Sequence, residues 1–368
     1  MRLLPASAHP TGRLVDVFTG RALIFTTCLA LLWVLPSAAL VAAIGSSPNA
    51  PLDFYIFSAS GRESAAGLNP YDPAGGMNMN APTSLLLFHA LALLYPGLPA
   101  ILWAALSGLL YLACLYLLWQ VYPSRTPVLL IGWAVAQNGI WSTLALGQIY
   151  VLLLVPVAVA WYLFTRGRPL WGAALLGPLV VVKPNFALWP AMLYLAGYRR
   201  DAVISTASAV VFAAMPVLAY GPGIYLAWLN GARVLSPGEI AHHANASLIS
   251  LATRAGIPEL GWAGAATLIA TVVWWSCRRR PPMADVSTAA LASACITSPI
   301  AWPGYVTVLL PVFFRPWNRW LWIAALLLMF PYWVAITVLG PWRPAWELTT
   351  SVVFFALLLS ATLRKSAA

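Results

Sequence analysis

The chain is a succession of apolar runs, set apart by clusters of Pro, Gly and Arg. The runs are about 13 to 23 residues long, close to the roughly 20 residues that a helix needs to span the hydrocarbon core of a bilayer. In lipid a segment must satisfy its own backbone hydrogen bonds, so such runs fold as helices or close into a barrel. The alternating pattern of a membrane barrel is absent. Only 8% of the residues are charged and 61% are hydrophobic, whereas soluble domains carry about a quarter charged residues. The expected fold class is an all-α polytopic membrane protein, with residues 1–368 forming a single integral membrane domain.

The net charge of +11 is read as topology and contact with membrane lipids, not as nucleic-acid binding. All but two of the basic residues are Arg, and most fall in short loops between apolar runs, where Lys and Arg mark the cytoplasmic side. The scarcity of Lys beside abundant Ala points to a GC-rich bacterial genome, hence to a bacterial inner membrane. Cys28, Cys114, Cys277 and Cys295 are scattered in or beside apolar runs with no metal or redox spacing, so they are read as packing residues. The first run, residues 22–44, is too long for a signal-peptide core and is read as a retained span.

Placing the basic clusters inside fixes the path. These are Arg2, Arg13 and Arg21; Arg125; Arg166 and Arg168; Arg199 and Arg200; Arg278 to Arg280; Arg315 and Arg319; Arg364 and Lys365. Residues 22–44 go out and 99–120 return. The short apolar piece 84–95 then lies at the outer interface, and residues 45–98 become a large first extracytoplasmic loop. Residues 203–220 go out, 221–257 form a second outer loop, and 261–276 return. Residues 321–339 go out and 352–363 return. The total is about 12 crossings with both termini cytoplasmic.

The stretches between Arg168 and Arg199 and between Arg280 and Arg315 are too long for one helix and too short for two full crossings, and the stretch between Arg125 and Arg166 has a similar polar middle. Each has a polar break near its middle: Trp141-Ser142-Thr143 with Gly147-Gln148, Lys183-Pro184, and Ser298-Pro299-Ile300-Ala301-Trp302-Pro303. Each reads as a hairpin whose apex stops within the outer half of the bilayer. Irregular backbone at that depth is tolerated where it is buried in protein or lines a cavity. The expected cavity is lined by Gln148, Lys183, Ser298 and Trp302, beneath the loop that carries Asp53.

Asp53 stands out because the chain has only nine acidic residues and ionisable groups near a bilayer are costly and usually functional. It lies in Pro51-Leu52-Asp53-Phe54-Tyr55, ahead of Gly67-Leu68-Asn69-Pro70-Tyr71-Asp72-Pro73. Five basic residues fall outside the cytoplasmic set: Arg62, Lys183, Arg233, Arg254 and Arg343. Cations beside a carboxylate suggest an anionic ligand, although Lys183 could equally snorkel to the interface and Arg254 could be an interfacial anchor. No metal site is expected: His242 and His243 are adjacent, so on a helix they diverge, and Glu239, three residues before His242, does not by itself make one. No Walker loop, dinucleotide fingerprint or Asp-x-Asp pair is present, so no cofactor is expected.

Asp53-Phe54-Tyr55, the Gly67-to-Pro73 segment and Ala81-Pro82-Thr83-Ser84 together resemble the first outer loop of glycosyltransferase family 87, membrane mannosyltransferases of the GT-C superfamily. The resemblance continues through Leu146-Gly147-Gln148-Ile149-Tyr150, Val182-Lys183-Pro184, Asn245-Ala246-Ser247-Leu248 and Thr297-Ser298-Pro299-Ile300-Ala301-Trp302. It implies a GT-C-type bundle that moves a sugar, usually mannose, from a polyprenyl-phosphate-linked donor to a lipid or glycan acceptor on the extracytoplasmic face, with inversion and without a metal. Asp53 is then the general base, and Lys183 and Arg254 are the expected donor-phosphate ligands. Tyr55, Asn69, Tyr71, Gln148, His242, His243, Asn245 and Trp302 are the expected acceptor- or sugar-binding residues.

One feature departs from the family. Many relatives follow the Ser-Pro-x-x-Trp segment with one or two His, and here Pro303-Gly304-Tyr305 follow. A different acceptor, a partner drawn from His242 or His243, or an impaired enzyme would each account for this. A transporter or flippase of a lipid-linked glycan is the competing reading, since broken helices and midplane charge also suit transporters. A non-catalytic membrane subunit is a third.

Overall fold

A computed structural model describes residues 28–45, 52–72, 78–94, 100–122, 127–338 and 343–363. Arg2, Arg13, Arg21, Arg125, Arg364 and Lys365 lie outside the described residues, as do the start of the first apolar run and the side chain of Arg343. Among the described residues every regular element is a helix.

A π-helical turn, Ala30–Val34, runs into α1, Leu35–Gly45. Then come α2, Leu52–Ala65, α3, Thr83–Leu94, and α4, Ala100–Val121. The next group is α5, Pro127–Ala136, α6, Asn138–Leu146, α7, Tyr150–Thr165, α8, Pro169–Ala174, and α9, Leu176–Val182. A 3-10 turn, Pro184–Ala187, leads into α10, Leu188–Leu195, and α11, Arg199–Tyr220. Helices α12, Ile224–Ala241, α13, Leu248–Arg254, α14, Pro258–Arg279, and α15, Met283–Ile296, follow. A second 3-10 turn, Pro303–Thr307, precedes α16, Leu310–Phe313, α17, Arg319–Leu328, α18, Tyr332–Thr337, and α19, Arg343–Thr362.

Among the described residues, three helices are long and apolar enough to cross a membrane: α4, α11 and α14, each of 22 residues. Shorter apolar helices surround them, including α7 and α15. The outer faces of the long helices are apolar, with Leu109 66% and Leu218 86% exposed. Rows of this kind mark a lipid-facing surface, and the chain is a multi-pass membrane protein.

The three sequence breaks are real interruptions. α6 stops at Leu146 because Gly147 adopts a left-handed φ of 66°, a conformation that favours Gly. α9 stops at Val182, where Lys183 is extended and Pro184 opens the 3-10 turn. α15 stops at Ile296, and the chain runs without regular structure until Pro303. Basic residues sit at the far ends of the segments that flank the first two breaks: Arg166 follows α7, Arg168 precedes α8, which leads into α9, and Arg199 follows α10. Arg166, Arg168, Arg199, Arg200 and Arg278 to Arg280 are exposed. Tyr198 donates to the Pro281 carbonyl at 3.3 Å, and Arg166 to the Gln120 carbonyl at 3.4 Å. These bonds join helix ends in the basic layer. The 14 residues of α15 rise about 21 Å, so its break lies short of a full hydrocarbon thickness of about 30 Å.

Arg315 lies in the loop between α16 and α17, yet it is a buried charge. It is 4% exposed and pairs with Asp285 in the first turn of α15, with further bonds to the Ala284 carbonyl (3.1 Å) and the Thr288 hydroxyl (2.7 Å). Asp285 opens the helix that follows Arg278 to Arg280, so the pair sits at the same helix ends as that basic cluster. Two expectations need correction. The expected crossing over 321–339 is two pieces, α17 and α18, interrupted before Pro331, whose missing N–H and fixed φ break a helix. The second outer loop, 221–257, is largely helical, since α12 spans 18 of its residues and α13 another seven.

Candidate active site

Asp53 lies in the first turn of α2, and packing fixes that helix in place. Gly61 lets it close on α3: a Cβ there would fall 2.1 Å from the Phe88 carbonyl oxygen. Phe57 stacks on Phe88 with ring centroids 4.6 Å apart. Trp103 of α4 sets the depth. Its ring lies 5.9 Å from Phe54, next to Asp53, and its indole N–H donates to the Gly147 carbonyl at 2.9 Å. One side chain thus holds both α2 and the break between α6 and α7.

The consequence is a direct contact. Gln148 Nε2 donates to Asp53 Oδ2 at 2.7 Å. Burial pushes the Asp53 carboxyl up to about 6, the Gln148 hydrogen bond and the Lys183 ammonium pull against that rise, and Glu239 adds to it. Loss of water around a carboxylate disfavours its charged form, and here that effect exceeds the stabilisation by an amide and a nearby cation.

The other breaks arrive at the same place. Tyr305, in the 3-10 turn after Trp302, has its ring centroid 4.8 Å from Tyr150 and 6.0 Å from Phe186. Lys183 Nζ sits 5.8 Å from that same ring. Thr143 and Thr307 pair their hydroxyls at 3.3 Å. Asn185 donates to the Ala294 carbonyl at 3.0 Å. Gln148, Lys183 and the 298–305 segment therefore line one neighbourhood around Asp53.

Asn245 builds the adjoining wall. It is fully buried. Its amide N–H groups donate to the carbonyls of Glu239 (3.1 Å) and Pro299 (2.8 Å). Its oxygen accepts from the backbone N–H groups of Ser247 (3.1 Å) and Ala301 (3.0 Å). Those four bonds are the full capacity of an Asn side chain, so Asn245 acts through the segments that it joins. Arg254 Nη1 bonds the carbonyls of His242 (2.8 Å) and Asn245 (2.9 Å) and the Ser250 hydroxyl (2.6 Å), clamping the same turn. His242 and His243 are exposed and in ring contact at 4.3 Å, and His242 meets Trp302 edge to face at 5.4 Å. The structure thus brings a His to the Ser298-to-Trp302 segment from another part of the chain.

The remaining expected residues are spread more widely. Tyr55 is partly buried, in edge contact with Phe54. Asn69 and Tyr71 line a groove of about 530 Å³ against α12, beside Leu226, Asn230 and Val234. Tyr71 is buried and its hydroxyl donates to the Asn80 carbonyl at 2.9 Å. Ser298 bonds the Ile300 carbonyl within its own turn at 2.8 Å. Sequence reasoning gave no role to Tyr150 or Tyr305. The signal available for both was adjacency, since each lies within three residues of a polar break.

Residues 78–299 match the model of glycosyltransferase family 87. The match covers more than half of the chain, which therefore belongs to that family and is a glycosyltransferase by membership. It is narrower than the span of about residues 15–315 over which the motifs suggest the resemblance. Asp53 and Trp302 both lie outside it, and Asp53 is tied to it through Gln148. No curated protein and no solved structure matches the chain.

Proposed function

We propose that this member of the family transfers a hexose, mannose by family preference, from a polyprenyl-phosphate donor to a lipid or glycan acceptor on the extracytoplasmic face. The observation that carries the reading is the half-buried Asp53 carboxyl, held by Gln148 near Lys183 and pushed up to about 6 by burial. A general base works best with a pKa near the working pH, and Asp53 meets that condition.

In this reading Asp53 takes the proton of an acceptor hydroxyl as its oxygen bonds the anomeric carbon. The bond from that carbon to the phosphate oxygen breaks, its electron pair leaves with polyprenyl phosphate, and the configuration inverts. Asp53 then returns its proton to water. The leaving phosphate gains charge as it departs, and a fixed cation stabilises that charge most in the transition state. In this reading Lys183, whose charge reaches Asp53, supplies that cation. Arg254 contributes from the wall, where its Nη1 is already engaged. His242 and Trp302 offer faces on which an acceptor sugar can stack. The donor is a membrane lipid, and the lipid-facing surface of the long helices supports its lateral entry.

The test uses purified protein in nanodiscs with radiolabelled polyprenyl-phosphate-mannose and a lipid extract of the source organism. Label should pass to a lipid or glycan product, and Asp53→Asn should cut the rate by about 10²-fold or more while the protein still folds. Transfer by Asp53→Asn at near wild-type rate would remove Asp53 from the mechanism. Movement of a lipid-linked glycan across proteoliposomes with no product would favour a transporter instead.

A further inference from the structure

Tyr150 is 1% exposed, yet its hydroxyl has no hydrogen-bond partner among the described residues. A buried polar group left unpaired costs about 1–3 kcal/mol, so native proteins keep such groups rarely and with a reason. The ring cannot easily turn away. Tyr305 packs on it at 4.8 Å, and Gly304 leaves room for it where a Cβ would meet Tyr150 Cδ2 at 2.5 Å. The chain therefore gives up a side chain at position 304 to hold this phenol.

Its surroundings are those of the candidate site. Gln148, two residues earlier, bonds Asp53. The Asp53 charge reaches the phenol, whose other neighbours include Tyr305 and Cys295. Lys183 Nζ stands over the same Tyr305 ring. A phenol supplies one donor, and its strongest bond goes to an anionic oxygen. Asp53 is already bonded by Gln148, and Lys183 supplies the cation that a second anion needs.

We propose that the Tyr150 hydroxyl donates a hydrogen bond to a non-bridging phosphate oxygen of the glycosyl donor, beside Lys183. The inference rests on the glycosyltransferase reading above and adds a phosphate-binding residue to it.

Binding of farnesyl phosphate, a soluble polyprenyl-phosphate analogue, to the full chain in nanodiscs tests this by calorimetry without turnover. Wild type should bind, and Lys183→Gln should bind more weakly. Tyr150→Phe should lose about tenfold or more in affinity, the share expected of a hydrogen bond to a charged group. Its thermal midpoint should stay at or above the wild-type value, because an unpaired buried hydroxyl is gone. Wild-type-like binding by Tyr150→Phe, with Lys183→Gln weakened, would overturn the Tyr150 role and leave the phosphate site standing. A fall in midpoint alongside lost binding would assign the hydroxyl to the fold and overturn it as well. No binding by wild type would sink the phosphate site and Tyr150 together.

Discussion

Gln148 and Asp53 are 95 residues apart in the chain and 2.7 Å apart in the structure. The amide donates to the carboxylate, and Trp103 touches the neighbours of both partners. A carboxylate held in this way keeps one oxygen oriented and leaves the other for the acceptor hydroxyl of the proposed reaction.

The pH dependence of transfer follows from the groups around Asp53. Its carboxyl titrates near 6, and a base must be deprotonated to act, so the rate should rise with pH through about 6. Gln148 and Lys183 both lower that value and Glu239 raises it. Gln148→Leu and Lys183→Gln should therefore move the acid limb to higher pH, and Glu239→Gln should move it lower. Initial rates of label transfer between pH 4.5 and 8.5, on the order of the range spanned by such shifts, check the three directions. An acid limb that ignores all three substitutions would show that another group titrates.

The Arg315–Asp285 pair should be costly to break and cheaper to remove whole. Both side chains are nearly buried. Arg315→Ala or Asp285→Ala alone leaves a buried charge and should destabilise by about 3–5 kcal/mol. The double variant Asp285→Leu with Arg315→Met should lose less than either single change. Thermal unfolding in detergent, followed by tryptophan fluorescence, reads the difference.

Asn245→Ala should loosen the wall of the site. It removes four hydrogen bonds, two within the turn after α12, to Glu239 and Ser247, and two that tie that turn to Pro299 and Ala301. The cost should be at least about 2 kcal/mol, since several buried backbone groups lose their partner. Asn245→Asp keeps the acceptor half only and should not restore stability. Faster hydrogen exchange at Ser247 and Ala301 in both variants is the local readout.

Gly304→Ala should act through Tyr150. The added methyl meets the Tyr150 ring at 2.5 Å and the Thr143 hydroxyl at 3.1 Å, so the ring or the 3-10 turn must move. Overpacking of this kind costs about 1–3 kcal/mol, and transfer should fall with it. A Gly304→Ala enzyme with wild-type stability and rate would show that the pocket has slack.

Much of the scaffold was legible because it is local. Pro184 and Gly147 end their helices through a missing donor and a left-handed φ. The short apolar piece before α4 was readable from its length alone, and α3 has 12 residues. Pro331 obeys the same rule and was legible in principle, but a continuous apolar run masked the break. The burial of Arg315 was not legible because a sequence shows charge without showing the partner, and Asp285 is 30 residues away. The helix α12 was hidden by Gly, Pro and polar residues that resemble a loop, and it forms because it packs on the 69–72 segment, where Gly231 fits against the Tyr71 carbonyl oxygen.

The sequence by itself determined that this chain lies in a membrane as helices, where those helices break, and that Asp53 is an unusual carboxylate. Apolar length, backbone hydrogen bonding and turn chemistry act within a few residues, so a linear reading reaches them. Only the tertiary structure decided which breaks meet. It put Gln148 on Asp53, set Lys183 and Tyr150 against one Tyr305 ring, used Asn245 to hold a wall and brought His242 to Trp302. Those contacts depend on the packing of whole helices, on glycines such as Gly61 and Gly304 that let backbones and rings approach, and on desolvation that no single segment produces alone.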